Sequence, residues 1–351
     1  MSYINRQNQI SSLFPNEPKF RLKQIEQALF KPEITSWSEV TNLSKNMRET
    51  LESQVPFLSL SVDEVKTSDQ GNTYKAILKT IDDLAIESVL MKNSRGYWTI
   101  CISTQIGCAM RCSFCATGKM GLKRNLDQDE IVDQVRVWQQ FLAKNPDQEQ
   151  RISNLVYMGM GEPMANYENV RASLNTILAQ TEIGPTKITV STVGVLPRLE
   201  MLLSDPEWPH VKLAVSLHSA DRNTRKEIVP TSYDDFLPKL ADWSKRYLER
   251  FGNRRHYLTF EYVMLEGVND SIEHAKMLAN FVNRIGEIKV NLIPFNFTEC
   301  GFGCSDSETI EEFRETLNKK GVAVTTRKSQ GQDIGAACGQ LLKIKTDQPE
   351  S

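Results

Sequence analysis

Hydrophobic positions change their spacing twice along this chain, and each change marks a different kind of structure. Through residues 1–55 apolar side chains recur three and four apart, as with Leu22, Ile25 and Leu29 in FRLKQIEQALF and Met47 and Leu51 after Ser44. That spacing predicts a small helical N-terminal domain. From Leu58 to Lys92 the pattern shortens to β-rich runs, TYKAILKTI and AIESVLMK, bounded by SDQGN and DD turn chemistry, which predicts a β connector over 56–95. Apolar strands then alternate with amphipathic helices over 96–344: WTICIST, NLVYMGM, KITVSTV, VKLAVSLH, YLTFEYVML, KVNLIPF and VAVTTR are separated by patterns such as DQDEIVDQVRVWQQFLAK. The alternation predicts an α/β fold, a partial parallel β/α barrel of TIM-like kind. No repeat of 20–50 residues is visible, and 345–351 reads as a disordered tail.

Polar residues sharpen this picture because they gather where the strands end: GMGEP from Gly159, STVG from Ser191, SLHSA from Ser216 and PFN from Pro294. In a β/α barrel those ends form the active-site face. The 351 residues are 40% hydrophobic and 25% charged, enough for one large catalytic domain and an appendage. No apolar run approaches the roughly 18 residues of a membrane span, and MSYINRQNQISSLF lacks a signal-peptide pattern, so a cytoplasmic location without membrane contact is expected. A net charge of −2 argues against a non-specific nucleic-acid coat and leaves room for a local basic face.

Seven cysteines are an odd number, and in a reducing compartment a cluster of them reads as metal-binding or catalytic. ICISTQIGCAMRCSFCATGKMG sets Cys108, Cys112 and Cys115 in a C-x3-C-x2-C array, with Cys101 upstream. Three thiolates select zinc or an iron–sulfur cluster. A structural zinc needs a fourth ligand, whereas a four-iron cluster on three cysteines keeps one iron open for a cofactor. A zinc-stabilised RNA-binding module without chemistry is the reading of another class; it leaves Cys101, Cys338 and the glycine-rich strand ends unexplained. Taken alone, His218 reads as a packed histidine, Cys338 as a buried thiol and Glu162 as a solvated acid at a turn.

Several strings together change those readings. GCAMRCSFCATGKMGLKRNL, MGMGEPMAN, STVG, SLHSA, VMLEGVND, NLIPFN and DIGAACGQL, after the first barrel strand and in this order, resemble the radical S-adenosylmethionine family that methylates carbon 2 of adenine in ribosomal and transfer RNA. The related resistance enzymes that methylate carbon 8 share the pattern. The resemblance implies a 4Fe-4S cluster on Cys108, Cys112 and Cys115 and two S-adenosylmethionine molecules per turnover, held by Gly161, Glu162, Ser191, Ser216, Leu217, His218 and Asn296. It implies that Cys338 carries the methyl group as S-methylcysteine, that a deoxyadenosyl radical activates that methyl, and that Cys101 resolves the RNA link through a transient disulfide with Cys338. Glu87 is implied as the proton acceptor. The partners implied are 23S ribosomal RNA, transfer RNA and an electron donor such as flavodoxin or ferredoxin, serving a monomer.

The string GEP from Gly161 favours carbon 2 over carbon 8. Lys119, Lys123 and Arg124, and Arg222, Arg225 and Lys226, are candidate phosphate contacts at the barrel mouth; Arg254 and Arg255 read as a solvated pair. Two positions depart from the family: Gly335 stands where Asp is usual, and Phe297 where Pro is usual. Cys300 and Cys304 are unexpected and read as bystanders on a loop.

Overall fold

Three helices open the chain in the computed structural model, which describes residues 5–252, 258–327 and 329–341: α1 (Arg6–Leu13), α2 (Lys19–Leu29) and α3 (Lys45–Gln54). Ser44 starts α3, its hydroxyl accepting from the Met47 amide at 3.3 Å. Ile25, Leu29, Met47 and Leu51 close with Trp37 over a core separate from the main one. Arg254, Arg255 and the tail at 345–351 lie outside the described residues.

The β-rich region forms an antiparallel meander, β1 (Leu60–Thr67), β2 (Thr73–Thr80) and β3 (Ala85–Lys92), whose last strand pairs with β4 (Trp98–Cys101). It is therefore the edge of the main sheet rather than a separate connector. After β4 comes a small hairpin, β5 (Gln105–Gly107) and β6 (Leu122–Asn125), that encloses the cysteine loop and a short helix, α4 (Ala116–Lys119). The main sheet resumes with β7 (Ile152–Tyr157), β8 (Ile188–Thr192), β9 (Lys212–Ser216), β10 (Leu258–Met264), β11 (Lys289–Pro294) and β12 (Val324–Thr326), all parallel to β4. Among the described residues β12 pairs only with β11, so the sheet of ten strands curls without closing. This is the expected partial barrel.

Helices cover the outside. The first, α5 (Gln128–Ala143), opens on a capping box in which Asp127 accepts from the Glu130 amide and Glu130 from that of Asp127. Asp133, fully buried on α5, accepts from Arg6 at 2.5 Å, Arg136 at 2.5 Å and the Ser59 amide at 2.6 Å. Arg136 in turn donates to the Leu29 and Phe57 carbonyls. One carboxylate thus joins the N-terminal helices, the start of the sheet and the first barrel helix.

The barrel's polar strings fall where the alternation placed them, at the C-terminal ends of the strands. The segment 329–341 then crosses the open side of the barrel. It leaves β12, and it docks on β2 at the far edge, where Lys75 Nζ donates to the Gly335 carbonyl at 3.2 Å and the Asp69 amide to Asp333 at 2.7 Å.

Candidate active site

The cysteine loop hangs between β5 and β6, with Cys112 buried and Cys108 and Cys115 partly so. Burial pushes the Cys108 thiol up to about 12 and raises Cys112 and Cys115; Cys112 is raised further by both of its partners. A positive centre among them would relieve that cost and hold all three as thiolates. Among the described residues no three Cys, His, Asp or Glu side chains are gathered as ligands of one ion. A cluster takes each thiolate on a separate iron, and three sulfur donors on one loop suit that arrangement.

Beside the loop lies a cavity that runs from Cys115 to Cys338 and is lined by Gly161, Glu162, Ser191, Ser216, His218 and Asn296. Gly161 has φ +97°, and a Cβ there would stand 2.5 Å from the Gln105 side chain, so only glycine lets the β7 end approach β5. Glu162 is 2% exposed and accepts from the Met164 and Val193 amides at 2.9 and 2.8 Å. Burial raises its pKa against those bonds, which suits a carboxylate waiting for a cationic ligand. Burial, then the charge of Arg225, lowers His218 to about 3. Its Nδ1 accepts from the Val263 amide at 3.1 Å, so the imidazole is neutral with its proton on Nε2. Leu217 behaves differently: its side chain packs in the core, and its amide donates to the Glu261 carbonyl at 3.0 Å.

Cys338 also forms part of the wall of an adjoining cavity, which holds Cys101, Thr99 and Met91. Met158, Ile293 and Arg327 border both spaces. Burial, with a contribution from Cys338, pushes Cys101 up to about 12 against the pull of Arg327. Asn296 donates to the Cys338 carbonyl at 3.1 Å and accepts from Gln332 at 2.6 Å, tying the cofactor-side wall to the cysteine's own segment. Glu87 is 2% exposed on β3 and lines neither cavity. It pairs with Lys75 at 3.0 Å, and Lys75 links it to the Cys338 segment.

Three site groups escaped the sequence reading. Arg327 is charge-coupled first to Cys338, then to Glu261 and Cys101. Glu261, the acid that interrupts the apolar run YLTFEYVML, lines the cofactor-side cavity and accepts from Asn291 at 2.8 Å. Its position in that run was a usable signal; nothing local distinguished Lys75. Three expected phosphate contacts have other work. Arg124 pairs with Asp82 and Glu130. Arg225 is buried, donates to the carbonyls of Ser216, Leu217 and Val193, and lies 4.1 Å over the Phe236 ring, so it braces the strand ends. Lys226 pairs with Asp234. Cys300 lies near enough to raise Cys115, whereas Cys304 is exposed beside an isolated bridge to Leu265.

An open β/α barrel with a three-cysteine loop after its first strand defines a radical S-adenosylmethionine enzyme, and the Radical SAM superfamily pattern matches residues 102–279. A Dictyoglomus thermophilum protein named probable dual-specificity RNA methyltransferase RlmN is 40% identical over 332 residues, covering 93% of this chain and 92% of that one. A protein of the same name from Bacillus thuringiensis is 39% identical over 328 residues, covering 93% and 88%. The crystal structure of a radical SAM methyltransferase from Sphaerobacter thermophilus matches with a TM-score of 0.88 at 36% identity, covering 96% of this chain and 97% of that one. The chain belongs to the dual-specificity RNA methyltransferase family of radical S-adenosylmethionine enzymes. Membership implies an iron–sulfur cluster and S-adenosylmethionine. No helix among the described residues is long and apolar enough to cross a membrane.

Proposed function

We propose that this enzyme methylates carbon 2 of an adenine in 23S ribosomal RNA, and in transfer RNA, with Cys338 as the methyl carrier and Cys101 as the thiol that releases the product. The reading is carried by one observation: Cys338 borders both the cofactor-side cavity and the space that holds Cys101. When bound, a 4Fe-4S cluster on Cys108, Cys112 and Cys115, with two S-adenosylmethionine molecules per turnover, supplies the methyl group and the radical that activates it.

The chain's own groups do the rest. Glu162 receives the ammonium of the cofactor, while Gly161, Ser191, Ser216, Leu217, His218 and Asn296 shape its seat. Arg327 borders both cavities beside Cys338, its cation facing the sulfur that takes the methyl group. Carbon 2 of adenine is electron-poor and no nucleophile, so the methyl reaches it as a carbon radical; the ring becomes bonded to the carrier, and the adduct gives up its unpaired electron, which the oxidised cluster would take back. Glu87, which lines neither cavity but is joined to the Cys338 segment through Lys75, takes the ring proton once the seated ring and that segment bring it within reach. Cys101, as thiolate, then attacks the Cys338 sulfur: a disulfide forms, the sulfur–carbon bond breaks, and its electron pair stays with the ring-bound carbon, which takes up a proton to become the methyl group. That disulfide and the cluster are reduced by a flavodoxin or ferredoxin, and the enzyme works as a cytoplasmic monomer.

Three measurements test the reading. Reconstituted protein should hold about four irons with matching sulfide, and near-stoichiometric zinc in their place would remove the mechanism. Cys338→Ala should yield no S-methyl peptide by mass spectrometry, and Cys101→Ala should accumulate a covalent protein–RNA adduct. Nucleosides from treated 23S ribosomal RNA should contain 2-methyladenosine; 8-methyladenosine as the main product would transfer the chain to the carbon-8 chemistry.

A further inference from the structure

At the rim of the site one side chain is left unexplained by folding. Phe297 is 70% exposed, more than any other large hydrophobic among the described residues. Its backbone is nevertheless pinned. Gln340 Nε2 donates to the Phe297 carbonyl at 2.9 Å, and Thr298 Oγ1 to the Phe114 carbonyl at 3.0 Å. The residue before it, Asn296, lines the cofactor-side cavity and bonds to Cys338. A fixed loop therefore holds an aromatic ring in solvent beside the methyl carrier, forgoing the burial that such a ring ordinarily finds.

Cations stand on the segment tied to this loop. Lys119 Nζ donates to the Glu299 carbonyl at 3.0 Å, which ties α4 to the loop of Phe297. Arg111, Lys119 and Lys123 are exposed and make no ion pair among the described residues. Leu122, on the same hairpin as Lys123, is 44% exposed. An open aromatic face among uncompensated cations matches a nucleobase on a phosphate chain. An apolar protein partner would not call for the cations.

We propose that Phe297 is a stacking platform for an unpaired base neighbouring the target adenine, with Arg111, Lys119 and Lys123 taking the adjoining phosphates. The inference rests on the proposed RNA substrate and adds to it a subsite that fixes how the strand enters.

The test uses reconstituted full-length enzyme and a stem-loop cut from 23S ribosomal RNA around the adenine that the wild type methylates. Phe297→Ala should weaken binding about tenfold or more, the scale of one lost base–aromatic stack, and the loss should appear in KM rather than kcat. Phe297→Trp and Phe297→Tyr should restore affinity, and Phe297→Leu, equally apolar without a π face, should not. With 2-aminopurine next to the target, binding should quench fluorescence in the wild type and not in Phe297→Ala; an abasic site there should erase the difference between the two proteins. Affinity within twofold of wild type for Phe297→Ala, or full rescue by Leu, would overturn the platform while leaving the methyltransferase reading intact. Slowed reduction by flavodoxin with unchanged RNA binding would overturn it in favour of a protein contact. Failure of the wild type to methylate 23S ribosomal RNA at all would remove both.

Discussion

Two thiols so near each other must not react at the wrong moment, and the environment of Cys101 supplies the restraint. With its pKa at about 12, burial being the larger cause and Cys338 adding to it, only about one Cys101 in ten thousand is a thiolate at pH 8. Arg327 pulls the other way. In cluster-free protein at pH 8, Cys101 should alkylate with iodoacetamide about a hundredfold or more slowly than free cysteine, as counted by peptide mass spectrometry. A rate equal to that of free cysteine would mean that burial does not guard it. At this scale the sequence was informative about thiols and weak on charges. Cys101 and Cys338 could be singled out from the strings around them. Arg225 could not be told from a phosphate ligand, because its three carbonyl partners come from the ends of two different strands, β8 and β9.

Among elements, the joint at Asp133 decides whether the N-terminal helices stay on the barrel. Burial by itself would raise this carboxyl, but Arg136 and Arg6 hold it well below the usual carboxylate range. The folded state consequently binds fewer protons here than the unfolded state does. The contribution is complete above the ordinary aspartate value of about 4 and is lost as pH falls from there toward the folded value. Asp133→Asn should cost about 3–5 kcal/mol at pH 7, since two buried guanidinium groups lose their counter-charge. In urea titrations the gap between variant and wild type should narrow below pH 4; a constant gap would place the effect in packing instead. Helices and strands were readable one by one, since α5 and the parallel strands announce themselves by period and capping. That β3 would pair with β4 was not, because register between strands is settled by contacts far apart in sequence.

At the scale of the whole molecule, the open barrel is spanned by the segment that carries Cys338. Lys75 on β2 fixes that segment and Glu87 together, and both ends of the pair are buried. Lys75→Met should therefore cost about 3–5 kcal/mol by removing the cation from a buried ion pair, and hydrogen exchange in a peptide covering 331–341 should speed up. Lys75→Arg should restore most of the protection; unchanged exchange in the Met variant would show that the other contacts suffice. A partial barrel was legible from the alternation, but its bridging was not, because GQDIGAACGQL carries no periodic signal and its partners lie some 260 residues earlier.

A chain assembled on a ribosome acquires its parts in sequence order. The metal-binding loop emerges early, while every strand of the sheet precedes Cys338. An unfinished chain can thus gather the ligands for a reactive cofactor well before Cys338 exists. The segment that carries this cysteine can dock only when β2 and β12 both stand ready to receive it, so whatever the thiol does is withheld from incomplete copies of the enzyme by the order of synthesis itself.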